Sequence, residues 1–254
     1  MDLGLAGKRA LVTGGTRGIG RAIVFALAHE GTAVGICARH ERAVDETVAA
    51  LAATGVKAWG QAVDVADAKA LTRWVEAGAE ALGGLDILVT NASAFAAGAS
   101  PAEFRRAFDV DLMHTIIAAD AAMPHMERAG GGSIIAISSV SGSEDYGYDD
   151  AAYGTMKAAL NFYVKSLSRA AAAKNIRANT VSPGTTYFKG GFWHKVEIEQ
   201  PQVFQAMLAS NPTGRLASAE EIANVVVFVA SGRAGFVSGA NIVVDGALTR
   251  RVQY

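Results

Sequence analysis

The chain has 254 residues, 23 basic and 24 acidic side chains, a formal net charge of −1 and one cysteine. Hydrophobic residues make up 51% and charged residues 19%. That is enough apolar material for a sizeable core, so disorder is excluded as the main state, and the balanced charge argues against generic nucleic-acid binding, which shows as a basic excess.

Residues 1–8 carry an acid and no cationic lead into a long apolar stretch, so no signal peptide is expected. The most apolar window, 222–230, is far shorter than the roughly 18 residues of a membrane span. Cys37 has no partner cysteine, so neither an internal disulfide nor a multi-cysteine zinc site can form. It lies in the apolar run 33–38 and reads as a small buried hydrophobe. A cytoplasmic protein with no membrane partner is expected.

Short apolar runs occupy 9–13, 33–38, 58–63, 86–89, 133–138, 176–181 and 241–244. They are nearly continuous in apolar character, as in a parallel sheet covered on both faces. Helical patterns fill 19–30, 41–54, 69–82, 101–127, 151–174 and 219–230. Ser100 is placed to cap the helix that Pro101 opens, and Ser218 the helix from about 219. The alternation predicts one α/β domain over 1–254: a doubly wound, Rossmann-like parallel sheet of about seven strands with helices on both faces. Segment 185–211 breaks the alternation and is longer than an ordinary connection, so it reads as a lid or an extra helical subdomain.

The first strand runs into Thr13-Gly14-Gly15-Thr16-Arg17-Gly18-Ile19-Gly20 and then a helix. Small residues let the backbone approach a ligand, and the helix N-terminus offers unpaired N–H groups to a pyrophosphate. After the second strand stands Arg39, where a fold that prefers NAD usually places an acid. A guanidinium there can pair with a 2′-phosphate, and Arg17 can supply a second cation, which favours NADP(H).

After the fifth strand comes Ser138-Ser139, and fourteen residues beyond Ser139 lies Tyr153-Gly154-Thr155-Met156-Lys157. With six tyrosines and eight lysines, about 0.2 such Y-x-x-x-K matches arise by chance, so the context carries the weight. The i,i+4 spacing puts Tyr153 and Lys157 on one helical face. An ammonium near a phenol favours the phenolate.

The T-G-x-x-x-G-I-G loop with the Ser…Y-x-x-x-K pattern resembles the short-chain dehydrogenase/reductase family over nearly the whole chain. Asn91-Ala92 after the fourth strand and Ser182-Pro183-Gly184 after the sixth add to the likeness. The resemblance implies NADP(H) held by Gly14, Thr16, Arg17, Gly18, Ile19 and Arg39, with Asp64 and Val65 at the adenine. Asn91, Ala92, Pro183, Gly184 and Thr186 would lie along the rest of the cofactor. Tyr153 would be the general acid for carbonyl reduction and the base for alcohol oxidation. Lys157 would lower its pKa and bind the nicotinamide ribose, and Ser139 would hold the substrate oxygen. No metal enters this mechanism, and a homotetramer built through the helices of 101–127 and 151–174 is implied. The tail 249–254 is a candidate to reach a neighbouring subunit.

Three residues depart from the family pattern. The usual N-N-A-G reads Thr90-Asn91-Ala92-Ser93, and Ser93 is costly if that position needs a positive φ. Asp111 stands where the family has a catalytic asparagine. Its charge would oppose ionisation of Tyr153, so an active enzyme with an altered pH profile is expected.

The segment 187–194 holds four aromatics, Tyr187, Phe188, Phe192 and Trp193. They read as an apolar lid lining or as a cluster that pins the loop. His194 reads as a polar lid residue. Glu144, Asp145, Asp149 and Asp150 read as a solvated acidic loop, or as an acidic site mouth. The expected function is reduction of a ketone (3-oxoacyl, or cyclic and hydrophobic) to a secondary alcohol. The alternative is a non-catalytic dinucleotide-binding sensor on the same fold.

Overall fold

The computed structural model describes residues 1–252, apart from the side chain of Tyr148. Gln253 and Tyr254, the end of the expected intersubunit tail, lie outside the described residues. The elements alternate from the start: β1 (Arg9–Thr13), α1 (Gly18–His29), β2 (Ala33–Ala38), α2 (Glu41–Ala52), β3 (Ala58–Ala62), α3 (Ala68–Leu82) and β4 (Ile87–Thr90). Then come α4 (Pro101–Ala107), α5 (His114–Arg128), β5 (Gly132–Ile137), α6 (Ala151–Ala171) and β6 (Ile176–Pro183). The chain continues through β7 (Thr186–Tyr187), α7 (Phe192–Glu199), α8 (Pro201–Ser210), β8 (Ala217–Ser218), α9 (Ala219–Ala230) and β9 (Asn241–Val244).

Seven strands form one parallel sheet in the order β3-β2-β1-β4-β5-β6-β9. The continuous apolar strands follow from burial on both sides. Leu11 packs into a cluster with Trp74, Leu88, Ile134 and Leu160. Its neighbour Val12 packs into another with Ile23, Leu27, Ile36 and Val226. Successive side chains of one strand therefore feed opposite layers. Strand order reverses between β1 and β4, which opens a crevice at their carboxyl ends, where open α/β sheets bind ligands. Both expected caps form: Ser100 Oγ accepts from Glu103 N, and Ser218 and Glu221 make a reciprocal capping box.

One expectation changes, and one of two alternatives is chosen. The helix expected over 101–127 is not continuous, because residues Phe108–Met113 wind as a π-helical turn between α4 and α5. Such turns accommodate an extra residue and re-aim side chains, often at functional sites, and no change in the apolar period announces this one. Segment 185–211 folds as a helical pair. Val196 and Phe204 pack with Leu216, against Tyr187, Trp193 and Met207, and β7 is pinned by pairing with β8. Among the described residues no helix is long and apolar enough to cross a membrane.

Candidate active site

The turn after β1 is built so that no Cβ intrudes. Gly14 and Gly18 have φ of 69° and 54°, a region that glycine adopts without strain. A Cβ on Gly20 would lie 2.2 Å from the Gly14 carbonyl oxygen. Asn91 fastens this turn to β4, donating from Nδ2 to the carbonyls of Thr13 (3.0 Å) and Gly14 (3.2 Å). No side chain caps the N-terminus of α1, so its leading N–H groups face the crevice with the positive end of the helix dipole. Thr16, Arg17 and Ile19 lie in or beside this turn.

This cradle suits the pyrophosphate of a dinucleotide. Arg17 and Arg39 are exposed, and neither guanidinium is paired among the described residues. One side chain stands in the way. The ring of Phe188 lies against Gly18, so close that a Cβ there would be 2.5 Å from it. A phosphate at Gly18 requires that ring to turn aside. Asp64 forms a strand-end turn, accepting from Ala66 N at 3.0 Å, and Val65 is a core residue.

Across the crevice, Gly142 lets the loop after β5 press onto α6; a Cβ there would be 2.7 Å from the Lys157 carbonyl carbon. Ser139 is thereby held beside Tyr153, close enough for its hydroxyl to favour the phenolate. Ser139 Oγ also accepts from Ser141 N at 3.1 Å. Lys157 and Tyr153 share a buried face of α6, with Nζ 5.4 Å from the phenol ring centroid. The ammonium donates to the Ile137 carbonyl at 2.9 Å.

Asp111 is brought to this ammonium by the π-helical turn. Its Oδ1 lies 3.2 Å from Lys157 Nζ, and the two side chains are 0% and 2% exposed. Oδ2 accepts from Ala94 N at 3.2 Å, whereas Oδ1 makes no directed hydrogen bond among the described residues. Burial pushes the Tyr153 phenol well above its ordinary value, the Asp111 charge pushes the same way, and the Ser139 hydroxyl pulls back. The phenol is therefore raised, not lowered as the nearby lysine alone suggested. Burial and the Asp111 charge outweigh the Ser139 hydroxyl in this pocket.

His114 joins the two halves, and the sequence did not single it out. Its Nε2 lies 3.2 Å from Thr13 Oγ1, and its Nδ1 meets the Val110 carbonyl. Thr13 Oγ1 already accepts from Asn91 N (2.9 Å) and Ala92 N (3.1 Å), so its proton goes to Nε2, which leaves Nδ1 as the donor to Val110. The imidazole is thus neutral, and burial pushes its pKa down to about 4. A buried histidine in an apolar helical stretch carries no sequence signal that separates it from core.

Pro183 ends β6, and Gly184 N donates to Val244 O at 2.9 Å. Thr186 Oγ1 donates to the Gly184 carbonyl at 3.1 Å, so it shapes the turn, while the neighbouring Thr185 Oγ1 is buried without a partner among the described residues. Ser93 does not take a positive φ; the strained residue is Phe95, at 48°. Its ring stacks on Tyr153 (centroids 5.2 Å) and on Phe192 (5.8 Å). His194 accepts from Gly190 N at 3.2 Å and packs edge-on to Tyr187, away from a catalytic role. Glu144, Asp145 and Asp150 line a cavity of about 390 Å³ against Gly154 and Ala158, on another face of α6 from Tyr153 and Lys157. Cys37 is buried, with its thiol pushed up to about 12 by desolvation, which keeps it unreactive.

A family model described as enoyl-(acyl carrier protein) reductase matches residues 14–249. The chain is 38% identical to an isoepoxydon dehydrogenase of Penicillium expansum over 257 residues, covering 100% of this chain and 99% of that protein. Among solved structures, an L-sorbose reductase of Gluconobacter frateurii complexed with NADPH and L-sorbose superimposes with a TM-score of 0.93 at 31% identity, covering 99% of this chain and 100% of that one. A 7α-hydroxysteroid dehydrogenase complexed with NADH and 7-oxo glycochenodeoxycholic acid gives a TM-score of 0.91 at 29% identity, covering 97% and 96%.

Proposed function

The chain belongs to the short-chain dehydrogenase/reductase family of nicotinamide-dependent oxidoreductases, and from that premise we propose that it reduces a ketone to a secondary alcohol with NADPH, reversibly. The observation that carries this reading is one continuous set of contacts. It runs from the glycine turn through Thr13 and His114 to the π-helical turn, and from Asp111 to Lys157 beside Tyr153. Cofactor cradle and proton donor are thereby held in fixed relation.

The dinucleotide, when bound, supplies the hydride. Ser139 holds the substrate oxygen, and Tyr153 gives it the proton. The buried phenol is in its protonated form at neutral pH, the form that donates to a carbonyl oxygen. Lys157, anchored on Ile137 O and Asp111, recharges and orients the phenol and holds the nicotinamide ribose. Gly14, Gly18 and Ile19 would receive the pyrophosphate, and Arg17 and Arg39 the 2′-phosphate. The relatives' own cofactors are divided between NADH and NADPH; the two unpaired arginines favour NADPH here. Segment 185–211 acts as the lid.

A cytoplasmic homotetramer fits the same reading. Phe162 on the outer face of α6 is 77% exposed, and β9 offers a half-buried edge. Titration with NADPH and NADH by nicotinamide fluorescence, followed by a ketone panel in the same cuvette, tests the proposal. Tighter binding of NADPH with oxidation is expected. Preference for NADH would overturn the role of Arg17 and Arg39, and binding without any turnover would favour a dinucleotide sensor.

A further inference from the structure

Phe95 does something that the proton relay does not require. It is a bulky residue held at φ 48°, a conformation that L-residues avoid and that persists only where its surroundings enforce it. The surroundings do so here. Phe95 N donates to Ser93 Oγ at 3.0 Å, and Ala97 N donates to the Phe95 carbonyl at 3.0 Å. Arg106 Nη2 reaches the Ala94 carbonyl at 3.3 Å, and Ala94 N is held by Asp111. The bend thus delivers the Phe95 ring onto the face of Tyr153, yet leaves it 58% exposed. Phe192 of α7, 52% exposed, stacks on it at 30°, and Trp193 stands edge-on to Phe192 at 5.3 Å.

Resting on the ketone reductase reading, we propose that Phe95 is a specificity-determining residue: with Phe192 it forms the face that receives the substrate's carbon ring, and the substrate is a compact ketone on a flat carbocycle. Tyr153 Oη fixes where the carbonyl oxygen lies. A ring stacked on that same phenol fixes the plane along which the rest of the substrate extends. The wall is apolar, so a hydroxyl-rich open chain laid on it gives up water without new hydrogen bonds. A flat ring covers half-exposed aromatic surface in the offset arrangement that such rings prefer. Trp193, edge-on to Phe192 and packed in the cluster of the helical pair, supports the second ring.

Two probes of equal carbon number, cyclohex-2-en-1-one and hexan-2-one, are compared in steady state with NADPH. Phe95→Ala is expected to lower the cyclic-to-open-chain ratio of kcat/KM by about tenfold, chiefly through KM, and Phe95→Tyr to restore it. Equal loss on both ketones would overturn the proposal, because the ring would then merely support Tyr153. Phe192→Ala, in a different element, is expected to shift the ratio the same way, and serves if Phe95→Ala does not fold. If the wild-type protein turns over neither ketone, the wider ketone panel decides the reductase reading separately. Calorimetric binding of cyclohexenone to the NADP⁺-loaded protein then decides the inference: binding that weakens in Phe95→Ala supports it, and binding that is absent or unchanged overturns it.

Discussion

The two walls of the crevice are held by different forces. The cofactor wall is held by directed polar contacts and one buried ion pair: Asn91 staples Gly14, Thr13 bridges to His114, and Asp111 meets Lys157 in full burial. On the opposite wall the side chains meet through ring contacts, Phe95 with Phe192 and the Phe188 ring against Gly18. Directed bonds fix atoms to tenths of an ångström, as proton transfer needs. Ring contacts tolerate sliding, as substrate entry needs. The difference teaches where tuning is possible: changes on the first wall should act on chemistry and stability, and changes on the second on affinity and selectivity.

Tyr153→Phe is expected to cost the most. Removing the phenolic proton should lower kcat by about 10²–10⁴ while NADPH binding persists. Stopped-flow hydride transfer and fluorescence titration would separate the two. Loss of cofactor binding instead would mean that the walls are not independent.

His114 is the test of the net as a structural unit. Its pKa falls from 6.5 to about 4 on folding, so between those pH values the unfolded chain binds the extra proton. Stability from this group is present above 6.5 and is lost as pH falls toward 4, by about 3 kcal/mol in all. Urea unfolding at pH 7.5, 5.5 and 4.5 should show that loss in the wild type. His114→Gln should be less stable at pH 7.5 and should lack this part of the acid slope.

Asp111→Asn bears on the chemistry rather than the fold. The carboxylate helps burial to raise the Tyr153 phenol, so its removal lowers that pKa. The alkaline limit of ketone reduction should move to lower pH, and alcohol oxidation should begin to rise at lower pH. Profiles of kcat/KM in both directions check the sign. Coincident profiles would show that the ion pair of Asp111 with Lys157 has no influence on the phenol.

Legibility in the sequence divides along the same line. The cofactor wall depends on spacing, and spacing is written in the chain: the glycines at 14, 18 and 20, and Tyr153 four residues before Lys157. The seven strands were legible because burial on both faces leaves continuous apolar runs. Asp111 was visible as an odd residue, but the π-helical turn that aims it was not, since a one-residue shift of phase does not stand out in a run as short and mixed as 108–113. His114 looked like core because its partners are a hydroxyl on the distant β1 and a backbone carbonyl one turn back. Phe95 was hidden for another reason. Its role comes from a backbone bend enforced by Ser93, Arg106 and Asp111 together, and no local pattern places a phenylalanine in the left-handed region.

The smallest expected effect concerns the point where the walls touch. The Phe188 ring occupies space against Gly18 that a pyrophosphate would take, so the cradle is competent only when the ring is turned aside. Apparent affinity is then the intrinsic affinity reduced by the open fraction. Phe188→Ala removes the ring without touching the glycine turn, and NADPH should bind about three- to tenfold more tightly. The gain should appear in the association rate, because the ring competes with entry and makes no contact that must break on release. Stopped-flow binding reads both rates. A weaker complex with faster dissociation would mean the reverse, that the ring closes over the bound cofactor. The aromatic wall would then be a clasp for the dinucleotide, and the lid of 185–211 would tighten on NADPH instead of yielding to it.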